Sequence, residues 1–369
     1  MRIVHVYKDY YPVLGGIENH VRSLAEGQAE RGHDVTVVVT SPTGRTEVQT
    51  LNGVRVIKAA RLATVASTPL SLALPLQLRG VEADIAHLHF PYPVGEVSQR
   101  LLGRARRTVV TYHSDVVRQA GILRLYRPLM RAILRRADRI IATSPNYAAT
   151  SALLQENRDR VTVVPLGVDL ARFLQAYPEE VAALRQQYGT PLLLSMGRLR
   201  YYKGLNVLIE ALPSLPGVTL VVAGSGPMGA EWQALAQRLG VGGRVHFIGD
   251  TSDADQPALY QAADVYVLPA THRSEAFGIA LVEALASGVP AVTTELGTGT
   301  SYVNQDGITG VIVPPGNPSA LANAVTSLLG DEERRMRMGV AARERAVAEF
   351  GRATMLDRVL AVYQDVLGR

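Results

Sequence analysis

Two carboxylates eight positions apart, Glu275 and Glu283, bracket the stretch Arg273-Ser274-Glu275-Ala276-Phe277-Gly278-Ile279-Ala280-Leu281-Val282-Glu283. If the chain is helical from Phe277 on, they stand roughly 12 Å apart along the axis, at about 1.5 Å of rise per residue. That separation matches the span from the sugar ring to the ribose of a nucleotide-sugar. The amides of Phe277 and Gly278 then form a helix N-terminus beneath the diphosphate. It is too long for a retaining glycosidase pair, which needs carboxylates about 5–5.5 Å apart. The same residues also read as a core helix entered from a loop, with Glu275 near the N-cap and Glu283 solvated.

Other stretches carry chemistry of the same kind. In Gly197-Arg198-Leu199-Arg200-Tyr201-Tyr202-Lys203-Gly204, Arg198 offers a bidentate fork and Lys203 a point charge, a pairing suited to a diphosphate. A solvated loop is the alternative, and no Walker-type GxxxxGK[ST] run is present. Gly15-Gly16, opening a helix after the first strand, lets the backbone approach an anion, or simply makes a tight turn. His113, in Thr111-Tyr112-His113-Ser114-Asp115, is expected at a strand end facing a cleft, or else bonded to its own loop.

Three further loops invite competing readings. Gly224-Ser225-Gly226-Pro227-Met228-Gly229 matches GxGxxG, and with Asp250 at the end of the next strand it suggests an NAD-dependent oxidoreductase using Gly226. Against that, Pro227 removes an amide, and Arg198, Lys203, Glu275 and Glu283 are left without a role. Asp253-Ala254-Asp255 looks like a metal-binding acid pair, but it precedes Gln256-Pro257, so helix capping explains it better and no metal ligand is expected. The Gly/Thr loop Thr293–Tyr302 fits phosphate or sugar contact as well as a plain turn.

The elements that must hold these residues alternate short apolar runs with helical periodicity, the pattern of parallel sheets covered by helices. Strands are expected near 2–7, 35–40, 84–88, 107–111, 139–142 and 161–164, then near 192–196, 218–223, 244–248, 264–268, 290–293 and 310–313. Val164-Pro165-Leu166-Gly167-Val168-Asp169 is the natural break. The fold class is therefore α/β, with two Rossmann-like domains and a cleft between them. In such sheets ligands bind beyond the carboxyl ends of the strands. Expected boundaries are 1–165, 170–350 and a terminal helical segment 351–369. The chain has 369 residues, is 47% hydrophobic and contains no cysteine, which removes disulfides, thiolate zinc and cysteine nucleophiles. No apolar run is long enough for a signal peptide or membrane span, so a cytoplasmic, soluble or peripheral protein is expected.

In order, GGIE, HSD, GRLRYYKG, GSGP and EAFGIALVE resemble the family 4 glycosyltransferases, retaining enzymes of the GT-B fold with a deep inter-domain cleft. The resemblance covers nearly the whole chain. It implies that Glu275 bonds sugar hydroxyls, that Phe277 and Gly278 amides hold the diphosphate, and that Glu283 binds the ribose. Arg198 and Lys203 would neutralise the leaving group, Gly15 and Gly16 would approach the phosphates, Gly226 would line the donor site, and His113 would lie against the donor sugar. The family uses no metal and no cofactor, and its last helix crosses back to the N-terminal domain. One departure is Tyr302, where the family often has a glutamate. The wording around Glu275 and Gly297 resembles a bacterial mannosyltransferase-like subgroup, which implies GDP-mannose as donor, with a UDP-sugar the alternative.

The charge is uneven. Net charge is +5, and residues 100–139 hold eleven arginines against only Asp115 and Asp138. Arginines 124, 127, 131 and 135 fall on one stripe of Leu123–Arg136, while Leu125, Leu129, Ile133 and Leu134 lie largely elsewhere. Such a basic amphipathic helix fits an anionic membrane bearing a lipid-linked acceptor, and equally an ordinary surface helix. The expected activity is metal-independent hexose transfer to a lipid-linked or saccharide acceptor of the cell envelope or an exopolysaccharide, with no nucleic-acid partner. The competing functions are a nucleotide-sugar 2-epimerase, the oxidoreductase above and a non-catalytic sugar-nucleotide binder.

Overall fold

The computed structural model describes residues 1–13, 15–65, 68–115 and 120–369, with backbone only for 120–125. The chain divides into two compact units, Met1–Gly167 together with Arg352–Arg369, and Val168–Gly351.

The first unit contains β1 (Arg2–Val6), β2 (Asp34–Thr40), β3 (Glu47–Leu51), β4 (Val54–Ala59), β5 (Ala63–Val65), β6 (Thr68–Leu70), β7 (Glu82–Phe90), β8 (Arg104–Tyr112), β9 (Arg139–Ala142) and β10 (Val161–Val163). Eight of them form one sheet in the order β10-β9-β8-β7-β1-β2-β4-β3, parallel except where β3 turns back on β4. β3, β4, β5 and β6 are not among the expected strands: β3 lies exposed at the sheet edge, β5 and β6 form a short pair apart from it, and β4 is buried beside β2 but carries Arg55 and Lys58 within its apolar run. The β3–β4 turn is Asn52-Gly53, both with positive φ (48° and 78°), the conformation that matches hairpin twist.

The valine-rich strands β1 and β2 and the neighbouring β7 are buried on both faces, as parallel central strands must be. β1 lies between β2 and β7, with His5 opposite His87. Successive strand residues point to opposite faces, so His87 and His89 share one face of β7. The helix Arg352–Leu367 belongs to this unit's core: Met355, Leu356, Val359, Leu360, Tyr363 and Val366 pack with Ile3, Leu24, Ile85, Val109 and Ile141.

The second unit contains β11 (Leu192–Met196), β12 (Thr219–Ala223), β13 (Val245–Gly249), β14 (Val265–Leu268), β15 (Ala291–Thr294) and β16 (Gly310–Val313), all parallel. Their order is β13-β12-β11-β14-β15-β16. The order reverses between β11 and β14, and in such sheets ligands bind beyond the carboxyl ends of the strands at that point. One core, including Leu193, Leu208, Leu220, Trp232, Val267 and Leu328, holds this sheet and its helices together.

Candidate active site

At that reversal point the loop after β11 runs from Gly197 through a tight turn at Tyr201–Lys203 to Gly204. Gly204 has φ 65°, and a Cβ there would stand 2.0 Å from the carbonyl oxygen of Pro269, in the loop after β14. Only glycine fits both the conformation and the approach. The two loops are also joined by the Thr271 amide donating to the Tyr202 carbonyl (2.9 Å). This juncture brings Lys203 and Glu275 together: Nζ and Oε2 are 2.8 Å apart, with side chains only 18% and 9% exposed. Burial works to lower the Lys203 pKa, but the Glu275 carboxylate, with Tyr202, outweighs it and holds the ammonium above its usual range.

Glu275 is fixed from behind. Thr298 donates its hydroxyl to the Glu275 carbonyl (2.8 Å), Gly299 donates its amide to Ala276 (2.7 Å), and Arg273 reaches the carbonyls of Leu296 and Gly297. The Gly/Thr loop thus spends Thr298 and Thr300 inside the protein as scaffold for the Glu275 segment. Tyr302 packs against Phe350 and lies beneath the Arg345 guanidinium.

The helix after this segment begins at Ile279, later than the expected start at Phe277, because Gly278 adopts φ 87° and breaks the helical path. Glu275 therefore lies outside the helix, and the axial 12 Å separation does not describe this pair. Phe277 is buried, its ring edge-on to Phe350 at 5.8 Å. Glu283 is half-buried and accepts the Tyr260 hydroxyl at 2.8 Å. Burial pushes its carboxyl up to about 7, against the Tyr260 hydrogen bond and Arg172. Tyr260 was missed by sequence reasoning, since a lone tyrosine on an apolar helix face reads as core. Arg198 is exposed, and no described residue pairs with it.

Gly226 and Gly224 face protein backbone. A Cβ on Gly226 would meet Leu199 at 2.4 Å, and one on Gly224 would meet the Gly197 carbonyl at 2.2 Å. Asp250 takes the Ser225 hydroxyl at 2.8 Å. The GxGxxG glycines thus seat the Lys203 loop. Asp255 does occupy an N-cap position, but its carboxylate takes the Ser252 hydroxyl instead of a helix amide, and Asp253 pairs with Arg172.

In the first unit, Gly15 precedes the helix Gly16–Glu30, and the Glu18 carboxylate folds so close that a Cβ on Gly15 would meet it at 2.2 Å. Leu14 lies outside the described residues. His113 is buried, with Nε2 3.0 Å from His89 Nδ1. It ends a cluster with His5, His20, His87 and His89, none of which sequence reasoning selected. The signal was available in His87-Leu88-His89, whose alternation puts two imidazoles on one face. Among the described residues, two overlapping triads offer nitrogens within 4.8 Å of one another: His5, His87 and His89; and His20, His89 and His113. An ion there would displace the hydrogen bonds that occupy both nitrogens of His89.

Helix Ala120–Leu134 runs through Pro128. The Arg124 side chain lies outside the described residues. Arg131 is held by both oxygens of Glu156 (2.6 and 2.8 Å), while Arg127 and Arg135 are exposed.

Two Rossmann-like units with these sheets make the GT-B architecture, and the solved sucrose-phosphate synthase from Thermosynechococcus elongatus shares it (TM-score 0.83, 23% identity, 100% of this chain and 99% of that one). Residues 14–172 match the model of Glycosyltransferase Family 4, and residues 177–345 that of Glycosyl transferases group 1. The O-antigen chain mannosyltransferase C of Escherichia coli is 37% identical over all of this chain and 99% of its own length. The D-rhamnosyltransferase WbpZ of Pseudomonas aeruginosa is 39% identical over 92% of this chain and 89% of its own. The chain belongs to the family 4 glycosyltransferases, and the enzyme is a hexosyltransferase. This overturns the oxidoreductase, epimerase and binder readings. Among the described residues, no helix is long and apolar enough to cross a membrane.

Proposed function

We propose that this enzyme transfers mannose from GDP-mannose, with retention and without a metal ion, to a lipid-linked or saccharide acceptor of the cell envelope. The observation that carries the reading is the Lys203–Glu275 pair, set at the reversal point of a six-stranded parallel sheet. An ammonium has three donors. One is engaged by Glu275, and two are free for diphosphate oxygens. Arg198 supplies a second cation, and the start of the helix at Gly278 adds backbone amides. Charge develops on the departing diphosphate, and preoriented cations and amides stabilise it most in the transition state.

Glu275 then orients sugar hydroxyls, Glu283 takes the ribose, and His113 is the first-unit residue assigned to the donor sugar. Gly15 and Gly16 serve the phosphates. In the transfer step the bond from the anomeric carbon to the diphosphate oxygen breaks while the acceptor oxygen bonds to the same face. The acceptor hydroxyl proton passes to the leaving phosphate. Mannose is favoured because the two similar relatives are named for mannosyl and D-rhamnosyl transfer, and these sugars share the manno configuration.

A thermal-shift panel tests the donor: GDP-mannose should raise the melting temperature more than UDP-glucose or ADP-glucose at equal concentration. A larger shift with UDP-glucose would replace the donor assignment. Arg127 and Arg135 remain available to an anionic bilayer. At low salt the protein should pellet with phosphatidylglycerol vesicles; failure to pellet removes the membrane part of the proposal.

A further inference from the structure

The histidine cluster of the first unit is a continuous hydrogen-bonded chain. Gln28 Oε1 stands 2.7 Å from His5 Nε2, His5 Nδ1 is 3.0 Å from His89 Nε2, and His89 Nδ1 is 3.0 Å from His113 Nε2. A second branch starts from the other end of the same amide. Gln28 Nε2 donates to the Tyr363 hydroxyl (3.3 Å), which lies 2.5 Å from His87 Nδ1, and His87 Nε2 lies 2.6 Å from Thr111 Oγ1. All of these residues are buried.

Burial holds these imidazoles neutral, with His5 lowered to about 4 and His87, His89 and His113 well below the usual range. A neutral imidazole has one N–H and one lone pair. Imidazoles joined nitrogen to nitrogen must therefore point their protons the same way along the chain. The amide oxygen of Gln28 only accepts, so His5 Nε2 carries the proton and His5 Nδ1 the lone pair. His89 must then donate from Nε2, and so must His113. The second branch agrees: Tyr363 accepts from Gln28 and donates to His87, which donates onward to Thr111. The His113 Nδ1 lone pair is the free end. It has no partner among the described residues, and it is not among the buried atoms sealed without one, as both nitrogens of His20 are.

We propose that Gln28, clamped by Tyr363, is a positioning residue that fixes His113 as the Nε2–H tautomer and so presents Nδ1 as a hydrogen-bond acceptor to the sugar donor. The proposal rests on the assignment of His113 to the donor sugar. Reversal of the chain would require Gln28 to turn its amide over and every proton to shift, leaving His113 Nδ1 as a donor. The Nδ1 lone pair can take the proton of a sugar hydroxyl, whereas the reversed chain would present an N–H that can only donate to the hydroxyl oxygen, turning the hydroxyl's own proton elsewhere. A tautomer error in another enzyme's catalytic histidine costs about 10⁴-fold in kcat, so a partial loss of tautomer control should cost on the order of tenfold.

Long-range ¹H–¹⁵N correlation spectra of the ¹⁵N-histidine-labelled full chain report the tautomer directly, with His113 assigned by the signals missing from H113N. The wild type should show the Nε2–H form. Gln28→Leu should give a mixture of tautomers and lower kcat about tenfold with donor KM little changed. Gln28→Glu keeps an acceptor facing His5 and should restore both tautomer and rate. Tyr363→Phe, which keeps the packing, should give a smaller shift in the same direction. An Nδ1–H tautomer in the wild type, or an unaltered His113 tautomer in both Gln28→Leu and Tyr363→Phe, overturns the proposal. If His113→Ala transfers at the wild-type rate, the assignment of His113 to the sugar fails, yet the tautomer dependence on Gln28 remains measurable by itself.

Discussion

The two units bury polar groups by opposite means. In the second, Lys203 and Glu275 remain charged and neutralise each other at 2.8 Å. In the first, five imidazoles give up their charge: His5, His89 and His113 bond to one another in a chain, His87 bonds Tyr363 and Thr111, and His20 stays unpartnered. A charge pair depends on two side chains meeting, so losing either leaves an uncompensated ion. A neutral chain depends on completeness and direction, so the damage depends on which link is removed. The first arrangement suits a site that must stabilise developing charge. The second suits one that must present a lone pair in a defined orientation.

The largest effect is expected where the charge pair is broken. Glu275→Ala should lower kcat by on the order of 10³-fold, while GDP affinity, measured by calorimetry, stays within a few-fold. It should also cost roughly 3 kcal/mol of stability through the stranded lysine, which Glu275→Gln should reduce. A fully active Glu275→Ala enzyme would sink the site assignment.

Acid separates the units next. His5 and His20 have pKa values lowered from 6.5 to about 4 and about 3, so their neutral forms favour the folded state. The stability they supply is full above pH 6.5 and is lost as pH falls toward 4. Glu283 runs the other way: raised from 4.5 to about 7, it favours folding below pH 4.5 and loses that contribution as pH rises through 7. Glu96, in the first unit, is raised similarly and partly offsets its histidines. Denaturant midpoints between pH 6.5 and 4 should therefore fall for the first unit, followed by amide exchange. They should hold or rise for the second, followed by the fluorescence of Trp232, the chain's single tryptophan.

Within the histidine cluster the link matters. His5→Leu strands Gln28 and His89 and should cost about 2 kcal/mol, whereas His20→Leu removes two unpartnered buried nitrogens and should stabilise by about 1 kcal/mol. Equal destabilisation by both would mean that packing, not hydrogen bonding, governs the cluster. The smallest effect is expected at Tyr260→Phe. Losing the bond that favours the Glu283 carboxylate raises its pKa further and should raise donor KM about threefold.

Much of this was legible in the sequence. Buried parallel strands such as β1 and β11 announce themselves as apolar runs, and the motif loops fall where such strands end. The hairpin β3–β4 was overlooked despite Asn52-Gly53, because exposed β3 carries little apolar signal and the buried run of β4 is interrupted by Arg55 and Lys58. The residue types at the site were visible but their pairing was not. Lys203 and Glu275 are seventy-two positions apart, and only the reversal of strand order brings their loops together. The helix start was misplaced by the left-handed Gly278, a conformation that glycine permits but does not announce. The histidine chain needed β1, β7, β8 and two helices in register, information that no local spacing contains.

The helix Arg352–Leu367 has a consequence for how the chain is made. The first unit to begin leaving the ribosome is the last able to finish, because part of its core is translated after all of Val168–Gly351. The usual amino-to-carboxyl order of domain completion is inverted here. Until that helix is released, Ile3, Leu24 and Ile85 await their covering surface and Gln28 awaits Tyr363. Nascent chains stalled short of Arg352 should hold a protease-resistant second unit and a cleavable first one.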